Sequence, residues 1–293
     1  MVTAEQPLDL GASAASSRPT RPRDLALMLT AASSTQTGAA LGAHAFPVIG
    51  PAGVVAVRQL VAATVLLAVA RPDVRRLRLG QWWPTLLLTA VFAVMNLSLY
   101  AAVDRIGLAL AVTLEFLGPL GVALAGSRTP HHLLTALAAG AGVYVLVLPG
   151  PTSDYLGVGL GLLAAGCWAA YILLNRLVGA RLPGVQGTAI ATSISALGYL
   201  PVLVVLAVSG RLTPAALGFA VAAGTLASAV PYALDLIVLR TIPPRVFGIA
   251  MSAHPVLAAV AGMVILGELL TWHEWVGMAV IVTANVVTVS SAR

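Results

Sequence analysis

Long apolar runs separated by short polar connections follow one another from residue 24 almost to the end of the chain. A helix that crosses the hydrocarbon core of a bilayer needs about 20 apolar residues, and its backbone polar groups must be paired within the protein. Each run is therefore expected to be helical. The pattern predicts ten transmembrane helices, at roughly 24–45, 50–70, 84–102, 107–126, 132–149, 156–175, 186–208, 215–239, 245–266 and 273–290.

Composition excludes a sizeable soluble domain. Hydrophobic residues make up 59% of the 293 residues, and charged residues make up only 9%. Soluble domains carry roughly 25% charged residues, so this chain has too few to cover a water-exposed surface. The single cysteine, Cys167, excludes a disulfide within the chain. The sequence therefore predicts an all-α integral membrane protein.

The arginines predict the orientation of the helices. All 16 basic residues are arginines, and 13 of them fall on one side when the connections are assigned alternately to the two sides. Only Arg105 and Arg211 fall on the other side, and Arg58 lies within a predicted helix. Because arginine-rich connections stay in the cytoplasm, both termini are predicted to be cytoplasmic, with residues 1–23 as a disordered tail. The net charge of +6 then reflects topology and gives no reason to expect nucleic acid.

The two halves of the chain resemble each other. At an offset of 136 residues, Pro119 coincides with Pro255 and several Ala and Gly positions match. We predict two five-helix repeats, at 24–149 and 156–291. Because five is an odd number, the second repeat must be inverted in the membrane relative to the first. Inverted repeats are typical of transporters that bind their substrate between the repeats, near the middle of the bilayer.

Two charged residues are predicted to lie inside the membrane, where charge is costly and usually functional. Arg58 and Glu115 each lie about eight residues from the outer ends of their helices, which places both roughly 12 Å deep. They can form a structural ion pair, govern coupling, or bind the carboxylate and ammonium of an amino acid. We predict that they act as one unit. A neutral substitution of either should then lower protein abundance, and the double substitution should restore it.

Three prolines are predicted to interrupt helices: Pro119, Pro231 and Pro255. Proline has no N–H and clashes with the carbonyl four residues earlier, so it frees that carbonyl from the helix. The freed carbonyls belong to Glu115, Ala227 and Met251. Interrupted helices expose backbone groups to a transport cavity, although a simple kink without function remains an alternative at each position.

A histidine precedes the last of these prolines. His254 is predicted to lie in the middle of the ninth helix. Its imidazole can exchange a proton near neutral pH, so protons are a candidate coupling ion, and a packing role is the alternative. Other candidate substrate contacts are aromatic or amide side chains inside predicted helices: Asn96, Tyr100, Trp168, Tyr171 and Tyr232. Aromatic rings can bind an ammonium group or simply pack.

Motifs for enzymatic chemistry are missing from the sequence. We find no phosphate loop, dinucleotide fingerprint or nucleophile elbow, so no cofactor is predicted. His131 and His132 are adjacent and point apart on a helix, and His273 lacks the second histidine of a zinc motif. No metal site is predicted. An intramembrane enzyme therefore has little support, and a scaffold gains nothing from charge inside the bilayer.

Four segments resemble the EamA family of the drug/metabolite transporter superfamily, and most of all its bacterial threonine and homoserine exporters: 42–60, 95–130, 164–176 and 230–271. The LEFLGP segment around Glu115 and the segment around His254 carry the most specific part of the likeness. The resemblance implies ten helices in two inverted repeats, a central cavity, the bacterial inner membrane, and efflux without ATP hydrolysis. Glu268 matches an LGE motif of the family. The family commonly has an acidic residue where this chain has His254.

These features predict a secondary exporter of small amino acids similar to threonine or homoserine. The alternative within the class is an exporter of another small metabolite or a drug. The alternative from another class is an intramembrane enzyme. Lipid, an amino acid and protons are the expected partners.

Overall fold

The computed structural model describes residues 22–72, 74, 77–125, 130–148, 150, 153–231, 234 and 249–291. All regular structure in these residues is helical, and no strand occurs among them. The prediction of an all-α protein is confirmed. The predicted tail up to residue 21, the position of Tyr232 and much of the connection between the eighth and ninth predicted helices lie outside the described residues.

Twelve α-helices are described. Those of the first half are α1 Pro22–Ala43, α2 Phe46–Ala70, α3 Leu79–Ile106, α4 Leu108–Glu115, α5 Leu117–Ala125 and α6 Pro130–Val147. Those of the second half are α7 Tyr155–Gly179, α8 Gln186–Gly198, α9 Leu200–Val208, α10 Pro214–Gly224, α11 His254–Ala261 and α12 Trp272–Ser291. Two π-helical turns, Thr225–Ala229 and Gly262–Leu266, follow α10 and α11.

Helical segments overlap each of the ten predicted positions. Among the described residues, six stretches are long and apolar enough to cross a membrane: Phe46–Ala70, Leu79–Ile106, Leu108–Ala125, Tyr155–Gly179, Gln186–Val208 and Ile249–Leu266. Outward-facing apolar side chains are common, as at Leu137 (63% exposed) and Val205 (66% exposed). An apolar exterior of this kind suits lipid contact. The ten crossings and their inverted repeat stay a prediction.

Three predicted helices are interrupted in the structure. The fourth is split at Phe116, between α4 and α5, and Pro119 is the third residue of α5. The seventh is split at Tyr199, between α8 and α9, where Pro201 occupies the first turn of α9. The ninth has a turn at 252–253 before α11 begins. Proline is well accommodated in the first turn of a helix, where no N–H partner is needed.

A kink at Gly50 precedes Arg58 in α2. This helix begins at Phe46, four residues before the predicted start, and Gly50 interrupts it with φ 69° and ψ 169°. Glycine adopts such a positive φ without steric cost. Arg58 lies eight residues after this kink, about 12 Å along the helical part at 1.5 Å per residue.

Small residues allow α1 to approach the second half closely. A Cβ atom added at Gly38 would lie 2.6 Å from the backbone nitrogen of Ala227, and one at Gly42 would lie 2.9 Å from the Cβ of Ala223. The Ser34 hydroxyl also donates to the carbonyl of Leu226, at 2.7 Å. Close contact of this kind is typical of small-residue pairs in membrane helices. It fixes α1 against α10 and the π-helical turn that follows.

Candidate functional site

A central cavity of about 250 Å³ lies between the two halves of the chain. Its walls come from α1, α2, α3, α4, α7 and α11, together with the π-helical turn after α10. Seven of the eight predicted site side chains line it: Arg58, Asn96, Tyr100, Glu115, Trp168, Tyr171 and His254. The eighth, Tyr232, lies outside the described residues. Of the three prolines, Pro231 lines the cavity, whereas Pro119 and Pro255 lie behind its walls.

Arg58 is held by the π-helical turn and by an aromatic ring. Its Nε donates to the Ser228 hydroxyl at 3.1 Å, and its Nη2 donates to the carbonyl of Ala227 at 3.4 Å. The guanidinium carbon lies 5.2 Å from the centre of the Tyr100 ring, in reach of a cation–π interaction. Pro231, four residues after Ala227, lacks the N–H that would otherwise bind this carbonyl. The carbonyl therefore remains available to Arg58.

Glu115 lies at the last position of α4, where the helix is interrupted. Its side chain is only 7% exposed. No described residue donates a hydrogen bond to its carboxylate, and no ion pair within 4 Å joins it to Arg58, so the direct pair considered from equal depth is wrong. The two groups line one cavity without touching. Since a buried charge without a partner is costly, each is available to an oppositely charged group of a solute.

His254 begins α11 and contacts two other helices. Its Nδ1 lies 3.0 Å from Nε2 of Gln36, and its ring lies 5.5 Å from the ring of Phe116 at an angle of 30°. The Gln36 amide nitrogen can only donate, so Nδ1 accepts and the proton of a neutral imidazole lies on Nε2. Protonation of Nδ1 would require the Gln36 amide to turn.

Aromatic rings form one wall of the cavity. The Trp168 ring packs edge-on against Phe116, with centres 4.8 Å apart, and Tyr171 packs edge-on against Phe92, with centres 5.1 Å apart. The sequence had not singled out the two phenylalanines, because an apolar residue in an apolar helix carries no distinguishing signal. The membership of Phe116 in the LEFLGP segment was the available clue.

Two polar side chains of α3 complete the lining. The Asn96 amide nitrogen donates to the carbonyl of Phe92 at 2.8 Å, which leaves its amide oxygen for another partner. The Tyr100 hydroxyl is buried, and no described residue is within hydrogen-bonding distance of it. Unsatisfied polar groups are rare in protein interiors, so this hydroxyl on the cavity wall marks a place for a polar solute.

One end of the bundle is closed by polar contacts, and we call it the closed end: Arg105, Leu108, Asp154 and Glu268. The Glu268 carboxylate accepts the backbone N–H of Leu108, at 2.9 and 3.1 Å to its two oxygens. Arg105 and Asp154 form an ion pair at 2.9 Å. A hydrogen bond from the backbone of Gly157, with a smaller contribution from Arg105, lowers the pKa of Asp154 below its ordinary value. These contacts join α3, α4, α7 and the loop after α11.

Several known proteins are similar to this chain. The family model described as EamA-like transporter family matches residues 155–290. The threonine/homoserine exporter RhtA of Salmonella typhimurium strain LT2 is 36% identical over 262 residues, or 88% of each chain. The same exporter of Escherichia coli strain K12 is 34% identical over 272 residues, or 92% of each chain. An uncharacterized transporter of Bacillus subtilis, YwfM, is 27% identical over 75% of this chain and 78% of its own.

The fold has a counterpart among solved structures. One crystal structure, 19% identical in sequence, covers 93% of this chain and 97% of its own with a TM-score of 0.59. An apolar helical bundle around a polar cavity, with transporters as its relatives, is a multi-pass membrane transporter and not an enzyme. The chain belongs to the EamA-like transporter family, which confirms the resemblance found in the sequence.

Proposed function

We propose that this chain is a secondary exporter of small amino acids related to threonine and homoserine, in the bacterial inner membrane. The two RhtA relatives named above are exporters of threonine and homoserine, which supports both the substrate class and the direction. The observation that carries the proposal is the unpaired placement of Arg58 and Glu115 on one cavity. An α-amino acid has one negative and one positive group, and this cavity offers a partner for each.

The α-carboxylate binds Arg58 in this proposal. A guanidinium has five N–H donors in a fork that matches a carboxylate. Only two donors are used by Ser228 and Ala227, so three remain for the substrate. The α-ammonium group lies by the Glu115 carboxylate, next to the aromatic wall formed by Phe116 and Trp168.

The volume of the cavity favours a small solute. Pockets that enclose drug-sized ligands are typically about 300–1,000 Å³, and this one is about 250 Å³. A free amino acid is far smaller than a drug, so the central cavity alone is large enough to hold it.

Transport is proposed to use ten helices in two inverted repeats, with both termini in the cytoplasm and the closed end towards the outside. The closed end then forms the external gate, and α11 with His254 is the element through which protons couple to transport. Reporter fusions test the orientation: fusions near Arg181 should be cytoplasmic, and fusions near Asp154 should be external. The reverse result at either site would contradict the topology.

The substrate proposal is tested by export from cells. Bacteria without their own threonine exporters should accumulate less threonine, and survive higher concentrations, when they express this chain. Arg58→Met and Glu115→Gln should abolish both effects at unchanged membrane abundance. Arg181→Met and Glu274→Gln are matched controls, because Arg181 lies in the connection after α7, Glu274 lies in the first turn of α12, and neither lines the cavity. Export that survives both cavity substitutions would contradict the proposal.

A further inference from the structure

A second cavity of about 210 Å³ adjoins the central one. Six residues line both cavities: Arg58, Phe92, Asn96, Tyr171, Ala227 and Pro231. The guanidinium of Arg58 therefore stands at the boundary between them. A carboxylate bound to Arg58 places the rest of the molecule within reach of either space.

The second cavity is lined by uncharged polar side chains of α2, α8 and the π-helical turn. They are Gln59, Thr188, Thr192 and Ser228. Gln59 and Thr192 are deeply buried, with 4% and 2% exposure. Apart from the shared Arg58, none of these lining residues carries a charge, so the space suits a neutral group that forms hydrogen bonds.

Three of these side chains have partners in the protein. Gln59 donates to the Ser195 hydroxyl at 3.1 Å, Thr188 donates to the Asn175 amide oxygen at 3.2 Å, and Ser228 accepts from Arg58. Ser228 still has its own O–H to donate, and Gln59 still has its amide oxygen to accept. The cavity thus presents both kinds of hydrogen-bonding group.

Thr192 differs from the other buried threonines. Thr85, Thr113 and Thr288 each donate their hydroxyl to the carbonyl four residues earlier, at 2.6–2.8 Å. No described residue forms a hydrogen bond with the Thr192 hydroxyl, although its side chain is equally buried and lines the cavity. A hydroxyl that lines a cavity and is not bonded to the protein is free to hydrogen-bond a ligand there.

We propose that the second cavity is a subsite for the hydroxyl-bearing side chain of the substrate, with Thr192 as the residue that selects for the hydroxyl. The inference rests on the proposed function, since it needs the substrate carboxylate on Arg58. The class of ligand is a small α-amino acid with a hydroxyl on its β- or γ-carbon. The substrate hydroxyl exchanges hydrogen bonds with Thr192 and with the free amide oxygen of Gln59.

This arrangement predicts that an amino acid of the same size without a hydroxyl is a poor substrate. A site that is built to hydrogen-bond a hydroxyl rejects the analogue that lacks it, because its buried polar groups are then left unpaired. A purely apolar pocket has no such means of discrimination. The proposal therefore concerns the ratio of transport between two substrates and not the rate of either.

The test uses the purified full chain in proteoliposomes. Counterflow of radiolabelled L-threonine is compared with that of L-2-aminobutyrate, which lacks only the hydroxyl. The wild type should prefer threonine at least tenfold. Thr192→Val, which replaces the hydroxyl by a methyl group, should reduce this preference at least fivefold by slowing threonine while 2-aminobutyrate is unchanged. Thr192→Ser should retain the preference.

Matched controls separate the subsite from the fold and from the proposed function. Thr288→Val removes an equally buried hydroxyl from α12, which lines neither cavity, and should leave the preference unchanged. If Thr192→Val does not reach the membrane, the smaller Thr192→Ala gives the same comparison. An unchanged preference, an equal loss for both substrates, or a wild type without preference would overturn the subsite. Full threonine transport by Arg58→Met would instead overturn the proposed function.

Discussion

The closed end of the bundle and the central cavity use polar side chains in opposite ways. At the closed end, Arg105 pairs with Asp154, and Glu268 binds the backbone of Leu108. In the cavity, Arg58 and Glu115 line one space but form no ion pair within 4 Å. Buried polar groups are stable only with partners. The closed end therefore stabilises the structure. The groups in the cavity that have no protein partner form the place where a solute binds.

The largest expected effect is the loss of transport on removal of either cavity charge. Arg58→Met and Glu115→Gln should each lower threonine counterflow by about tenfold to a hundredfold, the range for a charge-assisted hydrogen bond worth about 1.5–3 kcal/mol. Because the two groups do not touch, abundance should stay near that of the wild type in each single variant. The measurement is counterflow in proteoliposomes normalised to protein.

The double variant sharpens the same comparison. The double variant should transport threonine no better than the single variants. Its abundance in the membrane should equal theirs, whereas a direct ion pair would predict that the double substitution restores abundance lost in the single variants. Single variants that are depleted from the membrane, together with a double variant that is not, would show that the two charges pair after all.

A smaller effect is expected at the closed end from Glu268→Ala. Loss of a cap at a helix start costs about 0.5–2 kcal/mol, so the closed end should open more often. In a Cys167→Ser background, Val112→Cys places a thiol on the part of the cavity wall formed by α4. An impermeant maleimide added from outside should label it several-fold faster when Glu268 is replaced.

The control for this experiment is another carboxylate of the same loop region. Glu274 binds Thr271 within its own turn, so Glu274→Gln should leave the labelling rate unchanged. Equal labelling in the Glu268→Ala variant and its parent would mean that this contact does not keep the end closed.

The contact between His254 and Gln36 predicts a change in pH dependence that is smaller than the loss of a charge. Protonation of Nδ1 would reverse its hydrogen bond with Gln36. His254→Gln should therefore flatten the rate profile between about pH 5.5 and 8, without loss of abundance. The relay is excluded if both the rate and the profile stay as in the wild type.

The smallest effect is expected at the exposed ion pair. The side chains of Arg105 and Asp154 are 41% and 30% exposed, and exposed pairs contribute little to stability. The lowered pKa of Asp154 keeps its carboxylate charged as the outside is mildly acidified. The stabilisation of the folded state by the Asp154 carboxylate is thus fully present above the ordinary aspartate pKa. It is lost only when the pH falls through the lowered pKa of Asp154.

Arg105→Met should accordingly shift the melting temperature by no more than the scatter between replicates at pH 7, and equally little at pH 5. A marked loss of stability at both values would show that this pair is as important to the closed end as Glu268.

The sequence indicated the helices and the charged part of the site for a simple reason. Lipid penalises polar groups strongly, so apolar runs of sufficient length and the few charges within them are both visible in the chain. Arg58, Glu115 and His254 were found in this way, and the structure brings all three to one cavity. The placement of Tyr232 and the inverted repeat stay predictions.

Contacts between distant segments could not be read from the sequence. Depth along a helix does not fix the direction of a side chain around it, so equal depth of Arg58 and Glu115 wrongly suggested a direct pair. Gln36 was visible only as one member of a polar run in α1, and its contact with His254 joins residues 218 positions apart. Thr192 carried no signal, because a threonine in a membrane helix usually bonds to its own backbone.

The close approach of α1 to the π-helical turn has a consequence for anyone who evolves this protein towards other amino acids. Gly38 admits no side chain, since any Cβ would collide with the backbone of Ala227. The same turn carries the carbonyl and the hydroxyl that hold Arg58. A mutant library that varies α1 here will consist mostly of inactive members. Positions of α8 around Thr192 are better targets for mutagenesis. A new side chain there changes which amino acid is transported, and it leaves unchanged the contacts that hold Arg58 for the substrate carboxylate.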